Sequence, residues 1–484
     1  MALDSRRSPR ESAVVVGGGI SGLLAARELA QRGLRVTLVE RRHHLGGSVG
    51  AHEVAGHVLD SGAESFATRT PAVADLLTDL GIAEKICQPS QSGSWLYLQD
   101  GAYPAPKTGI LGIPGNLNEP SVKNILGSAG IRRAKLDKIL PASAGANAVT
   151  LGELVRKRMG SQVLDRLVAP VTTGVHSTHP DHLELDSVVP GMRAALAKYG
   201  SLVAASASLR AASPAGAQVA GLVGGMNQLS EALVDDVLRR RVRILTGYDA
   251  IAVDRDVTHG GWTLLQRQPK LAERAAPVHG KYLVMATDGP TTARILGSHL
   301  DEKSIPQINP GHEIALVTLV IDQAALDSHP RGTGLLVSDQ VASVRAKALT
   351  HASAKWTWIA DELGPGKHVV RLSYGRGNDA GPLQEVALYD DQLITLAMHD
   401  ASKLLGVSVS RNNLLGADVV RWKGSLPTAA PGHREKVADF RRALEELDGV
   451  SAVGAWLAGN GLAAVTADTK ATLQDFAERH HFSA

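Results

Sequence analysis

The sequence predicts an α/β fold, α+β over the whole chain: a Rossmann-like nucleotide-binding domain, an interleaved mixed-sheet domain and a helical subdomain. Three observations predict it. The run Val14-Val15-Val16-Gly17-Gly18-Gly19-Ile20-Ser21-Gly22, closed by Val36-Thr37-Leu38-Val39-Glu40, reads as strand, glycine turn, helix, strand and acid. Residues 312–375 alternate apolar and polar in strand fashion, as in Ile314, Leu316, Thr318 and Val320, which suits an antiparallel sheet. Residues 131–210 carry helical spacing, with Leu151, Leu154, Val155 and Met159 on one face.

In the first unit each glycine has a task. Gly17 permits the tight turn after a buried strand, Gly19 lets the backbone come close to a pyrophosphate, and Gly22 lets the helix pack close on the sheet. Gly18, Ile20 and Ser21 complete the turn, and the helix N-terminus offers free N–H groups and a positive dipole end to phosphates. Glu40 stands where a carboxylate accepts hydrogen bonds from ribose hydroxyls. The helix through Leu29 stops at Gly33, a C-terminal capping signal. A bare G-x-G-x-x-G is weak evidence; here the strand, helix and acid it requires are all present. After Glu40 comes Arg41-Arg42-His43-His44-Leu45-Gly46-Gly47-Ser48. This second glycine pair brings another backbone stretch to the same pyrophosphate, an element that a nicotinamide enzyme does not need. A plain glycine turn between strands is the alternative.

Further along, Pro71 starts a helix through Leu76, Leu77 and Leu80 that Gly81 stops. Cys87 closes an apolar helix pattern and reads as a buried thiol. Residues 100–130 are rich in Gly and Pro and read as loops around short pieces. Thr150 caps a helix, with Glu153 closing a capping box. Residues 206–218 read as a small-residue surface loop. Gly224-Gly225-Met226 leads into a helix over 227–240, then strands at 242–245, 250–253 and 262–265 and a buried strand over 281–287 that ends near a ligand. Helices are expected near 383–405 and 435–447. The tail repeats the opening pattern: strand 450–456, glycine turn Leu457-Ala458-Gly459-Asn460-Gly461-Leu462, then a helix over 463–476. These breaks divide the chain into a discontinuous nucleotide-binding domain (12–95, 220–300 and 420–476), a largely helical domain (96–219) and a substrate-binding sheet domain (301–419).

Composition narrows the function classes. With 44% hydrophobic and 20% charged residues the chain is an ordinary globular one. A net charge of +3 without a basic stripe argues against a nucleic-acid binder. The single cysteine, Cys87, excludes a disulfide framework within the chain and suits a reducing compartment, so a cytoplasmic protein is expected. Residues 1–11 carry Arg6, Arg7 and Arg10 without an apolar run after them and read as a polar tail. No apolar run reaches the length of a spanning helix, which leaves peripheral membrane contact open. No zinc or haem ligand set stands out; the pairs His43-His44 and His480-His481 read as solvated.

With the first glycine motif, the acid and the Leu-Gly-Gly turn, the chain resembles the FAD-containing amine oxidase and protoporphyrinogen oxidase superfamily. Further segments resemble its actinobacterial porphyrinogen oxidase branch, whose Gram-positive members oxidise coproporphyrinogen III. These are Asp60-Ser61-Gly62-Ala63-Glu64-Ser65, Leu167-Val168-Ala169-Pro170 with Gly174-Val175-His176, Ser353-Ala354-Lys355-Trp356, Arg421-Trp422, Pro431-Gly432-His433 and Gly454–Ala463. The resemblance implies FAD contacts at Gly17 to Gly22, Glu40, Arg41, Gly47, Ser48, Gly62, Ala63, Glu64, Ser65, Ala250, Trp422, Ala455, Asn460, Gly461, Leu462 and Ala463. For the substrate it implies Arg69 and His176, with Lys107 and Arg193 as lesser candidates, and it singles out no catalytic residue. It implies oxidation of coproporphyrinogen III by O2, with H2O2 released, in haem biosynthesis. Protoporphyrinogen IX oxidation, another amine oxidase or desaturase activity and a non-catalytic flavin or porphyrin scaffold are the alternatives, and docking with other haem-synthesis enzymes stays open. Three positions depart from the family pattern: Ser48-Val49-Gly50 replaces a basic residue, His176 an aromatic one, and Ala463-Ala464-Val465 a Pro-x-Cys.

Overall fold

Five strands, in the order Arg243–Thr246, Arg35–Glu40, Ser12–Val16, Tyr282–Met285 and Val450–Ala452, lie parallel in one sheet. A parallel sheet is covered on both faces, so its strands read as unbroken apolar runs. Side chains alternate across it. Ala13 and Val15 join a core with Leu23, Leu229 and Phe476 from the helices Ile20–Gln31, Asn227–Arg239 and Leu462–Arg479. Val14 and Val16 join a core with Trp262, Leu264 and Phe440 on the opposite face. That face carries the antiparallel strands Asp249–Arg255, Trp262–Arg267 and Val278–Gly280 and the helix His433–Glu445. The computed structural model describes residues 11–141, 143–212, 219–268, 275–301, 312–376, 385–426 and 430–482.

A second, mixed sheet of seven strands roofs the first. Its order is Leu414–Leu426, His312–Asp322, Lys367–Tyr374, Ala348–His351, Gly334–Val337, Trp95–Leu98 and Gly101–Pro104, and one pair, Gly334–Val337 with Trp95–Leu98, is parallel. The helix Asp390–Leu405 buries Leu393, Ala397 and Leu404 against Leu319, Val370 and Leu372 of this roof. A third body of helices, including Pro120–Lys135, Leu151–Met159, Ala169–His176, Met192–Tyr199 and Leu202–Ala211, packs around Leu151, Val155, Leu164 and Leu202.

Several local expectations change. The stretch read as loops over 100–130 holds the helix Pro120–Lys135, kinked at Gly127 (φ 61°). Proline at its first position cost it nothing, and Val122, Ile125 and Leu126 share a buried face. The loop expected from Ser206 is instead the end of the helix Leu202–Ala211, which Ser201 caps by accepting from Ala204 N–H at 3.1 Å. Its alanines favour helix, and Ser206 is buried, donating to the Ile113 carbonyl at 2.8 Å. Residues 213–218 and the polar tail over 1–10 lie outside the described residues. Cys87 sits in a short strand, Ile86–Cys87, and is half-buried, because Gly221 pairs with it across the ladder. The tail strand ends at Ala452, since Gly454 at φ 140° turns the chain into the short helix Ala455–Ala458. Thr150 accepts from Glu153 N–H at 3.1 Å as a cap; the Glu153 carboxylate reaches Val149 N–H at 3.0 Å instead of closing the box on Thr150. His480 is half-buried rather than solvated, with its ring centroid 4.6 Å from that of Phe476 and 5.1 Å from that of Tyr282. Among the described residues no helix is long and apolar enough to cross a membrane.

Candidate active site

The site begins where the central parallel strands end. Gly17 donates to the Val39 carbonyl at 2.8 Å and holds φ 109°; a Cβ there would lie 2.5 Å from the Ala286 carbonyl oxygen. A Cβ on Gly22 would lie 1.8 Å from the Gly17 carbonyl oxygen, so the helix could not seat itself on the turn. The Leu45-Gly46-Gly47 turn folds onto the first one. Gly46 N–H donates to the Gly18 carbonyl at 2.8 Å, and Gly47 (φ 61°) leaves room beside Gly19 where a Cβ would meet its Cα at 3.1 Å. The second strand brings Glu40 beneath both turns. Its carboxylate accepts from Gly18 N–H at 2.6 Å and from Arg42 N–H at 2.8 Å. Each carboxylate oxygen has a second lone pair, so a fixed acceptor remains for hydroxyl groups.

Two helices open on the same space. The helix Ile20–Gln31 starts without a side-chain cap and with no acid in its first turn, and so does the helix Leu462–Arg479, entered through Gly461 at φ 105°. Both N-termini leave their dipole end uncompensated toward one cavity of about 840 Å³. That volume is near the upper end for a ligand pocket. The Gly62 segment forms part of its edge: a Cβ on Gly62 would lie 2.2 Å from the Ser48 carbonyl oxygen, and Ala63 N–H donates to that oxygen at 2.8 Å. Trp422 is buried there, its indole N–H donating to the Ser61 carbonyl at 3.0 Å and its ring covered by the Arg42 guanidinium at 4.7 Å. The roof supplies apolar wall from Ile314, Leu316, Leu335, Leu336 and Leu349.

The wall is also charged. Glu64 pairs with Lys355 at 2.6 Å and with Arg371 at 2.9 Å. Burial alone would raise its pKa, but the Lys355 and Arg371 charges outweigh burial and hold it down to about 2. Behind it, burial pushes Asp60 up to about 6, despite backbone N–H bonds from Met226 and Asn227 and the nearby Arg371. Lys347 is 2% exposed yet borders the cavity, and burial lowers it to about 7.

Of the residues singled out by sequence, Gly17, Gly19, Ile20, Ser21, Glu40, Arg41, Gly47, Ser48, Gly62, Ala63, Glu64, Ala250, Trp422, Ala455, Asn460, Gly461 and Leu462 line this cavity. Gly18, Gly22, Ser65 and Ala463 are not in its lining: the two glycines hold the turn from behind, and Ser65 and Ala463 are half-buried beside lining residues. The substrate candidates fall elsewhere. Arg69 and Lys107 are exposed, and Arg193 is committed to Asp186 at 2.7 Å and to the Ala148 carbonyl at 2.7 Å. His176 is half-buried one residue beyond the lining residue Val175, and burial lowers its imidazole to about 4, so it is neutral at pH 7. Sequence reading assigned no site role to Lys347 or Arg371, whose strand Lys367–Tyr374 it read only for its alternation, and it saw Lys355 only as part of a motif. Pro431-Gly432-His433 acts at the edge of the site, His433 meeting the Trp456 carbonyl at 2.8 Å. Among the described residues no group of three His, Cys, Asp or Glu could hold a metal.

Glycine turns, a carboxylate at the end of the second strand and two helix N-termini opening on one cavity under a mixed-sheet roof define a class: α/β oxidoreductases that use a nucleotide cofactor. The family model described as flavin containing amine oxidoreductase matches residues 20–466, and the chain belongs to that family. It is 25% identical to the coproporphyrinogen III oxidase of Bacillus subtilis, over 96% of this chain and 98% of that protein. It is 29% identical to the coproporphyrinogen III oxidase of Mycobacterium tuberculosis, over 94% of this chain and 95% of that one. A crystal structure of a putative protoporphyrinogen oxidase from Exiguobacterium sp. 255-15 superposes with a TM-score of 0.84 at 24% identity, covering 98% of this chain and 100% of that chain, and shares the fold.

Proposed function

We propose that this protein oxidises coproporphyrinogen III to coproporphyrin III in haem biosynthesis, using FAD, with O2 as acceptor and H2O2 as product. One observation carries the reading: a single cavity joins a dinucleotide cradle to an apolar roof set with buried cations. The near full-length likeness to enzymes named for that substrate supports it. In this reading Gly17 to Gly22, Gly47 and Ser48 hold the pyrophosphate, and Glu40 and Arg41 the ribose side. The backbone at Ala250 meets adenine. Gly62 to Ser65, Trp422, Ala455 and Asn460 to Ala463 surround the isoalloxazine. The cradle fits such a group, since four of its glycines stand where a Cβ would strike backbone or the second turn. The cofactor domain (12–95, 220–300 and 420–476) and the substrate domain (301–419) of a cytoplasmic enzyme then change at their edges, since the strands Trp95–Leu98, Gly101–Pro104 and Leu414–Leu426 belong to the roof.

Porphyrinogens are flexible macrocycles of pyrroles joined by CH2 bridges. FAD held by these residues would supply a two-electron acceptor for hydride lost from one bridge in each step and would pass the electrons on to O2. The cation left behind is delocalised over adjacent pyrroles, and a pyrrole N–H then loses its proton to solvent. Three such steps convert one porphyrinogen and three O2 into one porphyrin and three H2O2. The chain therefore has no strong base to supply. Its residues position a bridge carbon, exclude water with the apolar roof, and balance charge. Lys355 and Arg371 place two cations at the cavity wall, which suits a polycarboxylate ligand.

The test is a side-by-side rate comparison. Purified protein should show the two-banded absorbance of oxidised flavin and release FAD on acid treatment. Added coproporphyrinogen III should yield porphyrin fluorescence and peroxide faster than protoporphyrinogen IX does. Turnover of neither substrate by flavin-loaded, reducible protein would refute the proposal; faster turnover of protoporphyrinogen IX would reassign the substrate.

A further inference from the structure

Lys347 is a buried cation without a counter-charge. It is 2% exposed, and among the described residues no carboxylate pairs with it; Arg376, a like charge, lies near enough to lower its pKa further. Its ammonium donates to the Ser177 hydroxyl and to the Gly375 carbonyl, the latter at 3.1 Å. An ammonium has three donors, so one is left over. Other buried cations here are treated differently. Arg158 is paired with Asp137 and four backbone carbonyls, and Lys355 and Arg371 share Glu64. Taking a charge out of water is unfavourable unless a partner compensates it.

The place of Lys347 shows where a partner would come from. It borders the cavity beside Gly174 and Val175, at the C-terminal end of the helix Ala169–His176, where that helix meets the strand Gly334–Val337. A Cβ on Gly174 would lie 2.5 Å from the Leu336 side chain, so helix and roof pack closely at this edge of the cavity. We propose that Lys347 is the anchoring cation for one carboxylate of the tetrapyrrole ligand, and so a specificity-determining residue of this site. The inference rests on the reading of the substrate as a porphyrinogen with ionised propionates. A charge-assisted hydrogen bond formed only when ligand is present would supply the missing counter-charge.

The probes are coproporphyrin III and its tetramethyl ester, one carrying four carboxylates and the other none, titrated into the flavin-bound full chain by fluorescence quenching in the same detergent buffer. K347M should weaken coproporphyrin binding about tenfold or more while leaving the ester within about twofold, and K347R should recover part of the loss. Flavin absorbance and melting temperature establish that each variant is folded. Equal losses for acid and ester, or none for either, overturn the proposal, because a lysine that merely caps the helix cannot tell the two apart. Wild-type protein supplies a second measurement independent of any variant. Lys347 titrates near 7 in the free site, so coproporphyrin affinity should fall several-fold from pH 6 to 8.5, and ester affinity should not. The other ionisable groups on the elements around it are His176, already neutral with a pKa near 4; Tyr374, which burial pushes far up; Arg376, which burial lowers; Arg371 and His351 on the paired strands; Asp400, which accepts from Ala346 N–H at 2.9 Å; Arg345 with its partner Glu385; and Asp339, whose near contact is His179 at 4.0 Å. A flat pH profile overturns the proposal. Wild-type protein that binds ester and acid equally well overturns the carboxylate anchor alone, whereas wild-type protein that binds neither overturns the substrate reading with it.

Discussion

Glu64 lies between two cations that reach the cavity from the roof and from the Ala352–Lys355 turn. Its folded pKa, near 2, is below the ordinary 4.5, so its charge stabilises the fold. The sign follows from linkage: the stabilisation is fully present above pH 4.5 and is lost as pH falls toward 2. The shift corresponds to about 3 kcal/mol. E64Q should therefore lower stability by about that amount at pH 7, with the deficit narrowing between pH 4.5 and 3. Urea midpoints at pH 7, 4 and 3 measure it, and a deficit independent of pH would contradict the assignment. At this scale the sequence was legible where a residue acts on its neighbours. Gly17, Gly19 and Glu40 meet partners in one βαβ unit, so spacing alone revealed them. Lys347, Lys355 and Arg371 were opaque because their partners lie 170, 291 and 307 positions away, at Ser177 and Glu64.

The helix Ile20–Gln31 depends on one contact with its own turn. G22A places a methyl group 1.8 Å from the Gly17 carbonyl oxygen, and backbone cannot swing aside as a side chain does. The expected result is protein purified without flavin and destabilised by about 3 kcal/mol or more. G33A is the comparison, since its added Cβ meets nothing within 4 Å and only the left-handed backbone (φ 83°) resists it. That variant should keep its flavin and lose about 1–2 kcal/mol. Absorbance at the flavin bands and denaturant midpoints separate the two cases; flavin retained by G22A would show that close packing of helix on turn is not required. Elements with strong local signals were read with their type correct, among them the parallel strands, the roof strands and the closing helix. The two stretches misread as loops share a cause. Over 100–130 and from Ser206, Gly, Pro and Ser suggested loops, but Pro120 and Ser201 sit at helix starts, where these residues are favoured.

Across the whole molecule, the edge strand Val450–Ala452 and the helix Leu462–Arg479 close a sheet and a core that residue 12 opens. Leu473 and Phe476 share that core with Leu23 and Leu24. Ending the chain after Asp448 should abolish flavin binding, since it removes one of the two helix N-termini and the Ala455–Leu462 edge of the cavity. It should also replace cooperative thermal unfolding with a broad transition. Full flavin occupancy in the shortened protein would contradict a cradle built from both ends.

The sequence by itself determined the nucleotide unit, its acid and the recurrence of strand, turn and helix at the far end, because those features are written in contacts a few residues apart. Only the tertiary structure decided which cations border the cavity, which residues expected at the site lie outside it, and that Lys347 is buried with no acid paired to it among the described residues. Burial and charge pairing arise where distant strands meet, and no local spacing records them.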